Sequence, residues 1–328
     1  MPDKEFFTLK SDFDALELKL MLVRPVGKPR ALVQLAHGMC EHKERYAPFM
    51  EYLAERGCLC VINDHRGHGG SVRSAEDLGY FYANGDEGVV EDLHQITQWM
   101  KAQWPGLPLF LLGHSMGSLA VRAYCERYDR EIDALAVCGS PGCHAPSSLR
   151  FGLALISLLE CVRGDRYHSP VIQRLTTGVF ARRFPDPEHP NAWISANPEN
   201  VRAYEADPLC NFTFTLNGNR SLLRLLRRAY ALKPERGNPD LPVRFFSGAE
   251  DPCAPDARGF RDAVERMRSA GYRNVEGRLF PGMRHEILNE DGREAVFEAI
   301  WREAFEPNLR PGQPQTAPTE AHAARNGE

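Results

Sequence analysis

The stretch PLFLLGHSMGS, residues 108–118, decides the reading of this chain. It runs apolar, turns through Gly113-His114-Ser115-Met116-Gly117, and continues with helical spacing. A buried strand that delivers a serine between two glycines into a helix start has two readings. One is a tight turn; the other is a nucleophile elbow. Small residues two positions before and after the serine permit a strained turn that lifts its hydroxyl above the sheet edge. The next backbone N–H then sits at a helix N-terminus. The strand–turn–helix context favours the nucleophile.

A serine hydroxyl is a weak nucleophile until a base takes its proton, and histidine has the pKa for that task. His285, in LFPGMRHEILNE, follows the last predicted strand. Loops at the C-terminal ends of strands are where open α/β sheets build their sites. The imidazole needs an acid to fix its tautomer and stabilise its charged form. Asp251, in FFSGAEDP, ends the preceding predicted strand, with Glu250 as its neighbour and competitor. The Asp-Pro dipeptide suits a loop that turns the aspartate inward, which favours Asp251. Acyl transfer also needs donors for a developing oxyanion. The expected donors are the backbone N–H of Met116 and that of Met39, in the loop His37-Gly38-Met39.

The surroundings alternate apolar strands with helical patterns. FFTLKS and ALELKLMLVRP predict an antiparallel hairpin. Strands are then predicted over 31–38, 58–64, 108–113, 134–141, 242–248 and 274–282. Helices are predicted over 46–56, 86–104, 115–128, 256–270 and 291–305. This pattern means an α/β fold with a mostly parallel sheet. The core is expected over 1–142 and 234–308.

The segment 143–233 breaks the rhythm and reads as a helical insertion, from about Cys143 to Lys233. It carries twelve basic and seven acidic residues, so it is positive while the whole chain is −4. A solvated helical surface explains that charge, and so does attraction to an anionic head group or membrane surface. The tail, 309–328, is Pro-, Ala- and Gln-rich and is expected to be disordered.

The chain has 328 residues, 43% apolar and 26% charged, an ordinary soluble composition. Its net charge argues against a nucleic-acid binder. No apolar run approaches the roughly 18 residues of a membrane span. FGLALISLLECV is too short and carries Glu160. The N-terminus lacks an apolar signal core. Nine scattered cysteines form no paired CxxC motif, and a cytoplasmic, reducing compartment is the simplest expectation. Cys58 and Cys60 fall on one face of one strand. His65 and His68, in the loop HRGHGGS, read as scaffold, and no metal is expected.

HGMCEHKERY, NDHRGHGGS, GHSMGS, SGAEDP and MRHEILNE, in that order, resemble the monoacylglycerol lipase and lysophospholipase group of the α/β-hydrolase superfamily. The similarity covers roughly residues 5–305 and is weakest in the insertion. The order serine, aspartate, histidine is the one these hydrolases use. The resemblance implies a mostly parallel sheet of about eight strands flanked by helices, with the insertion as a cap. It implies Ser115, Asp251 and His285 as a triad and no cofactor. It also places Glu41 and Arg45 near the polar head of a bound ester, although the residues alone equally allow a structural ion pair. Ser118 stands where the family often has a second glycine, and crowding of the helix start is expected.

The expected function is hydrolysis of a small amphipathic ester, with monoacylglycerols and lysophospholipids as the substrate classes. The positive insertion leans toward lysophospholipid and toward transient contact with the inner face of a membrane. An aminopeptidase or other α/β-hydrolase chemistry using the same triad is the main rival, and a net basic cap counts against an aminopeptidase's ammonium anchor. A non-catalytic binding protein is the third reading, and three filled triad positions count against it. The sequence leaves the oligomeric state open.

Overall fold

The computed structural model describes residues 3–142, 146–232, 235–254 and 257–309. The expected insertion limits at Cys143 and Lys233, the start of the helix expected from Asp256, and residues 310–328 of the tail lie outside them.

Eight strands form one sheet: β1 (Asp3–Lys10), β2 (Glu17–Arg24), β3 (Ala31–Ala36), β4 (Cys58–Asn63), β5 (Leu109–His114), β6 (Ala134–Cys138), β7 (Val243–Gly248) and β8 (Val275–Phe280). Their spatial order is β1-β2-β4-β3-β5-β6-β7-β8. β1 and β2 form the predicted hairpin, and β2 pairs antiparallel with β4. The other pairings are parallel. β3 to β6 are buried at every position. That is expected of parallel strands covered on both faces, and it is why they read as unbroken apolar runs. β1, at one edge, exposes alternate residues instead.

The core helices are α1 (Ala47–Glu55), α2 (Gly85–Gln103) and α3 (Met116–Tyr128); α4 to α8 follow below, and α9 (Ala257–Ser269) and α10 (Arg293–Ile300) close the chain. Alternate strand side chains feed two cores. Leu32, Leu59 and Leu111 pack with Leu93 of α2, Leu119 of α3 and Met267 of α9. Val33, Cys58, Cys60 and Leu112 pack with Phe49 of α1 and Phe297 of α10. The sheet thus sits between helical layers, as a two-sided sheet must. The last predicted helix is α10 followed by a wider π turn at Trp301–Phe305. That turn keeps Phe305 stacked on Phe110, ring centroids 5.0 Å apart.

Between β6 and β7 the chain forms α4 (Pro146–Arg163), α5 (Pro170–Leu175), α6 (Thr177–Ala181), α7 (Pro198–Ala206) and α8 (Leu216–Tyr230). Side-chain caps start three of them. Ser169, Asn197 and Thr215 each accept a backbone N–H of the first turn, satisfying donors that a helix start leaves orphaned. Among the described residues no helix is long and apolar enough to cross a membrane.

Candidate active site

Ser115 sits between β5 and α3 with φ 52° and ψ −118°. A non-glycine residue held there is strained, and such strain persists only where its surroundings enforce it. The flanking glycines are required by close approach. A Cβ on Gly113 would lie 2.4 Å from the Gly117 carbonyl oxygen, and one on Gly117 would lie 2.1 Å from the Ala36 oxygen. Ser118 is fully buried. Its hydroxyl donates to the Ser115 carbonyl at 2.5 Å.

The three residues named from sequence converge. Ser115 Oγ lies 2.8 Å from His285 Nε2. His285 Nδ1 lies 3.0 Å from each Asp251 oxygen. Asp251 is 1% exposed, whereas Glu250 points to solvent. The Asp251 carboxylate also accepts the Cys253 N–H at 2.8 Å and the Ser247 hydroxyl at 3.1 Å. Burial opposes its charge, but His285 and these donors hold its pKa below the ordinary carboxylate value. Burial likewise pulls the His285 pKa down. The charge and hydrogen bond of Asp251, then Glu286 and Glu41, hold it above the ordinary imidazole value. A base of this kind can take a hydroxyl proton and keep it during the reaction.

Met116 opens α3, so its N–H belongs to the orphan donors of the first turn. The Gly38-Met39 loop lies against the nucleophile: a Cβ on Gly38 would fall 3.1 Å from the Ser115 Cβ. Glu41 holds that loop by accepting the Gly38 N–H at 2.5 Å. Glu41 and Arg45 are ion-paired at 2.8 Å. Glu41 lines the pocket beside Ser115, and Arg45 stands behind it. His114 is buried, its Nε2 3.1 Å from the His285 carbonyl oxygen.

Two compartments meet at Ser115. One, of about 370 Å³, is lined largely by apolar side chains, including Leu119, Leu155, Ile156, Leu223 and Leu226. The other, of about 70 Å³, is more polar than the first and sets Asn191, Thr213, Glu41 and Glu286 beside Ile194, Phe212 and Phe214. Met39, Thr176, Thr177 and Trp193 border both. Glu286 carried no signal in the sequence beyond its place in MRHEILNE, and Trp193 carried none, since their partners lie far along the chain.

Two clusters of described residues bring potential metal ligands together: His42, Asp207 and Cys210, and Asp251, Cys253 and His285. In the first, both His42 ring nitrogens are already engaged by the Glu44 and Asp207 carboxylates. The second is the Asp251–His285 pair with a neighbouring thiol, which burial pushes well above its ordinary pKa. His65 and His68 pack with His37 in a buried cluster. Burial pushes His65 down to about 3 and His68 to about 4, so both stay neutral.

Residues 27–292 match the family model described as serine aminopeptidase, S33. The chain is 30% identical to a monoacylglycerol lipase of Mycolicibacterium smegmatis, over 84% of this chain and 88% of that protein. It is 35% identical to a monoglyceride lipase of Rattus norvegicus, over 81% and 79%. A thermostable carboxyl esterase from Bacillus coagulans, solved with glycerol, superposes with a TM-score of 0.82 at 26% identity, covering 93% of this chain and 98% of that one.

Proposed function

The chain belongs to the serine aminopeptidase S33 family of α/β-hydrolases, and from that premise we propose that it is a carboxylic ester hydrolase of single-acyl lipids, with monoacylglycerol as the preferred class. Ser115 Oγ attacks the ester carbonyl while His285 Nε2 takes its proton. Asp251 holds the imidazole and offsets its charge. The Met39 and Met116 N–H groups receive the oxyanion. His285 then protonates the leaving alcohol, and a water activated by His285 releases the acyl group from Ser115.

The observation that supports this reading best is the meeting of a large apolar cavity and a small, more polar pocket at one serine. An ester with one acyl chain and a small head fits that division. The polar pocket also bears on the head group. Its described lining contains no lysine or arginine, and its two carboxylates, Glu41 and Glu286, are already held by Arg45. A phosphate head would find no cation there, so an uncharged polyol is favoured over a lysophospholipid. The same satisfied carboxylates count against an ammonium anchor for a peptide.

The arginines of the insertion instead lie outside. Arg150, Arg163, Arg174 and Arg182 are exposed, near exposed Phe151, Leu158, Val162, Val171, Leu175 and Val179. Phe151, Leu175 and Val179 also line the apolar cavity. This surface supports transient contact with an anionic membrane. The eight described cysteines are all free, which suits a reducing compartment and hence the inner membrane face.

The test treats the protein and its Ser115→Ala variant with a fluorophosphonate and assays both on monoacylglycerol, lysophospholipid and a proline anilide. One adduct on Ser115, with monoacylglycerol turnover lost in the variant, is the expected result. Faster turnover of lysophospholipid overturns the head-group assignment, and faster cleavage of the anilide overturns the ester reading.

A further inference from the structure

The Arg45 guanidinium makes a junction between three separate parts of the site. Its Nη1 donates to Glu41 at 2.8 Å and to Glu286 Oε1 at 2.7 Å. Its Nη2 donates to Glu286 Oε2 at 2.6 Å and to Asn200 Oδ1 at 3.0 Å. Asn200 Nδ2 closes the ring by donating to Glu286 at 2.7 Å. The guanidinium also lies over the Tyr204 ring, 5.1 Å from its centroid.

Each partner leads to a different working part. Glu41 carries the Gly38-Met39 loop through the Gly38 N–H and is braced by the Tyr46 hydroxyl at 2.8 Å. Glu286 is the residue after His285, and its own N–H donates to the Ile194 carbonyl at 2.7 Å. Asn200 and Tyr204 belong to α7, in the segment that covers the site. A planar guanidinium with a forked donor set suits such a bidentate junction, and a lysine would not replace it.

We propose that Arg45 and Glu286 are positioning residues that fix the oxyanion loop, the histidine loop and α7 in one arrangement and leave one net negative charge beside the base. This rests on the triad reading above. Glu41 and Glu286 are buried carboxylates, at 2% and 4% exposure, and one guanidinium serves both. The groups facing His285 from other elements are Asp251, Cys253, His114 and Ser115. The Arg45 assembly adds its residual charge to theirs. It acts through His285 and the 38–39 loop, not by touching the reacting atoms.

The sign of the charge effect separates this role from a merely structural one. In Glu286→Gln the junction becomes neutral, the imidazolium loses support, and the acid limb of kcat/KM moves to lower pH. In Arg45→Met two carboxylates are left uncompensated and the limb moves to higher pH. In Arg45→Lys the charge stays, so the limb stays, while the lost fork lowers kcat. Shifts of about half a pH unit are expected for the first two, with kcat down about tenfold and KM within about twofold in all three.

The experiment records pH–rate profiles of the full-length variants on monoacylglycerol, and in parallel the pH dependence of fluorophosphonate labelling of Ser115. Opposite limb shifts in Glu286→Gln and Arg45→Met support the proposal. If Arg45→Met does not fold, the contrast between Glu286→Gln and Arg45→Lys carries the test. Variants that lose thermal stability but keep the wild-type limb and kcat overturn it. A wild-type protein that labels at Ser115 yet leaves monoacylglycerol intact overturns the substrate reading instead, and the labelling profiles then judge the junction alone.

Discussion

Trp193 lies against His285, the ring centroids 5.4 Å apart and the planes tilted by 37°. The indole comes from the segment between β6 and β7, and it borders both compartments. On the proposed reading it shields the base from solvent and walls the ester on both sides. Trp193→Ala should lower kcat/KM on a long-chain monoacylglycerol about tenfold or more, and on a nitrophenyl acetate less than about threefold, because a two-carbon acyl group uses little of that wall. Equal losses on both substrates would mean that the indole acts only on the triad.

The tilt of charge toward His285 makes a pH prediction. Asp251 is the largest influence holding the imidazole pKa up against burial. Because the base must be neutral to act, the acid limb of kcat/KM should lie above the ordinary imidazole value near 6.5. Asp251→Asn removes the supporting charge and the fixed tautomer. kcat should fall by about 10,000-fold, and the residual activity should show an acid limb at lower pH. The same pair bears on stability. The raised His285 contributes stability that is full below its unfolded pKa and is lost as pH rises through the folded value. The lowered Asp251 contributes stability present above its unfolded pKa and lost as pH falls through the folded value. Thermal melts of Asp251→Asn should therefore show a flatter dependence on pH than wild type.

Much of this was legible because the informative residues act locally. Gly113 is demanded by a backbone contact within one strand–turn–helix unit, and Gly117 by the Ala36 carbonyl of the neighbouring β3, so GHSMG carries much of its own geometry. β3 to β6 are buried on both faces, so their apolar runs announced a parallel sheet. Asp251 and His285 each end or follow a strand, which placed both at the same sheet edge as Ser115. The Arg45 junction was not legible in that way. Its partners Asn200 and Glu286 stand 155 and 241 residues along the chain, and no periodicity links them. The charge of the insertion does not fix the head group for a related reason. Counting arginines gives no direction, and the exposed ones lie on the outer surface rather than in the polar pocket.

The apolar cavity should set acyl-chain length. Ile156, on α4, is 1% exposed and lines it. Ile156→Trp adds bulk to a space of about 370 Å³. Activity on long acyl chains should fall by about tenfold or more while butyryl esters are spared, in line with about 1–3 kcal/mol for misfit in an apolar pocket. The measurement is kcat/KM across a chain-length series. An unchanged profile would place the acyl chain elsewhere.

One buried ion pair outside the site should dominate local stability. Arg66 is fully buried and donates from Nε to Asp92 Oδ2 at 2.9 Å and from Nη2 to Oδ1 at 3.1 Å. Asp92, on α2, also accepts the Ser11 hydroxyl at 2.5 Å. A Cβ on Gly88 would collide with the guanidinium at 2.3 Å, so the arginine has no room to leave toward α2. Asp92→Asn keeps the shape and deletes the charge, leaving a buried cation whose remaining carboxylate partner is the more exposed Asp14, 3.0 Å away, with the Ser11 hydroxyl at 3.5 Å. Breaking a buried pair from one side costs about 3–5 kcal/mol, and Asp14 should reduce this to the lower end. Urea unfolding should show a lower midpoint at unchanged slope. Ser115 labelling should continue at the wild-type rate under native conditions, because none of these residues touches the triad. A lost labelling rate with an unchanged midpoint would mean that the pair serves the site rather than the fold.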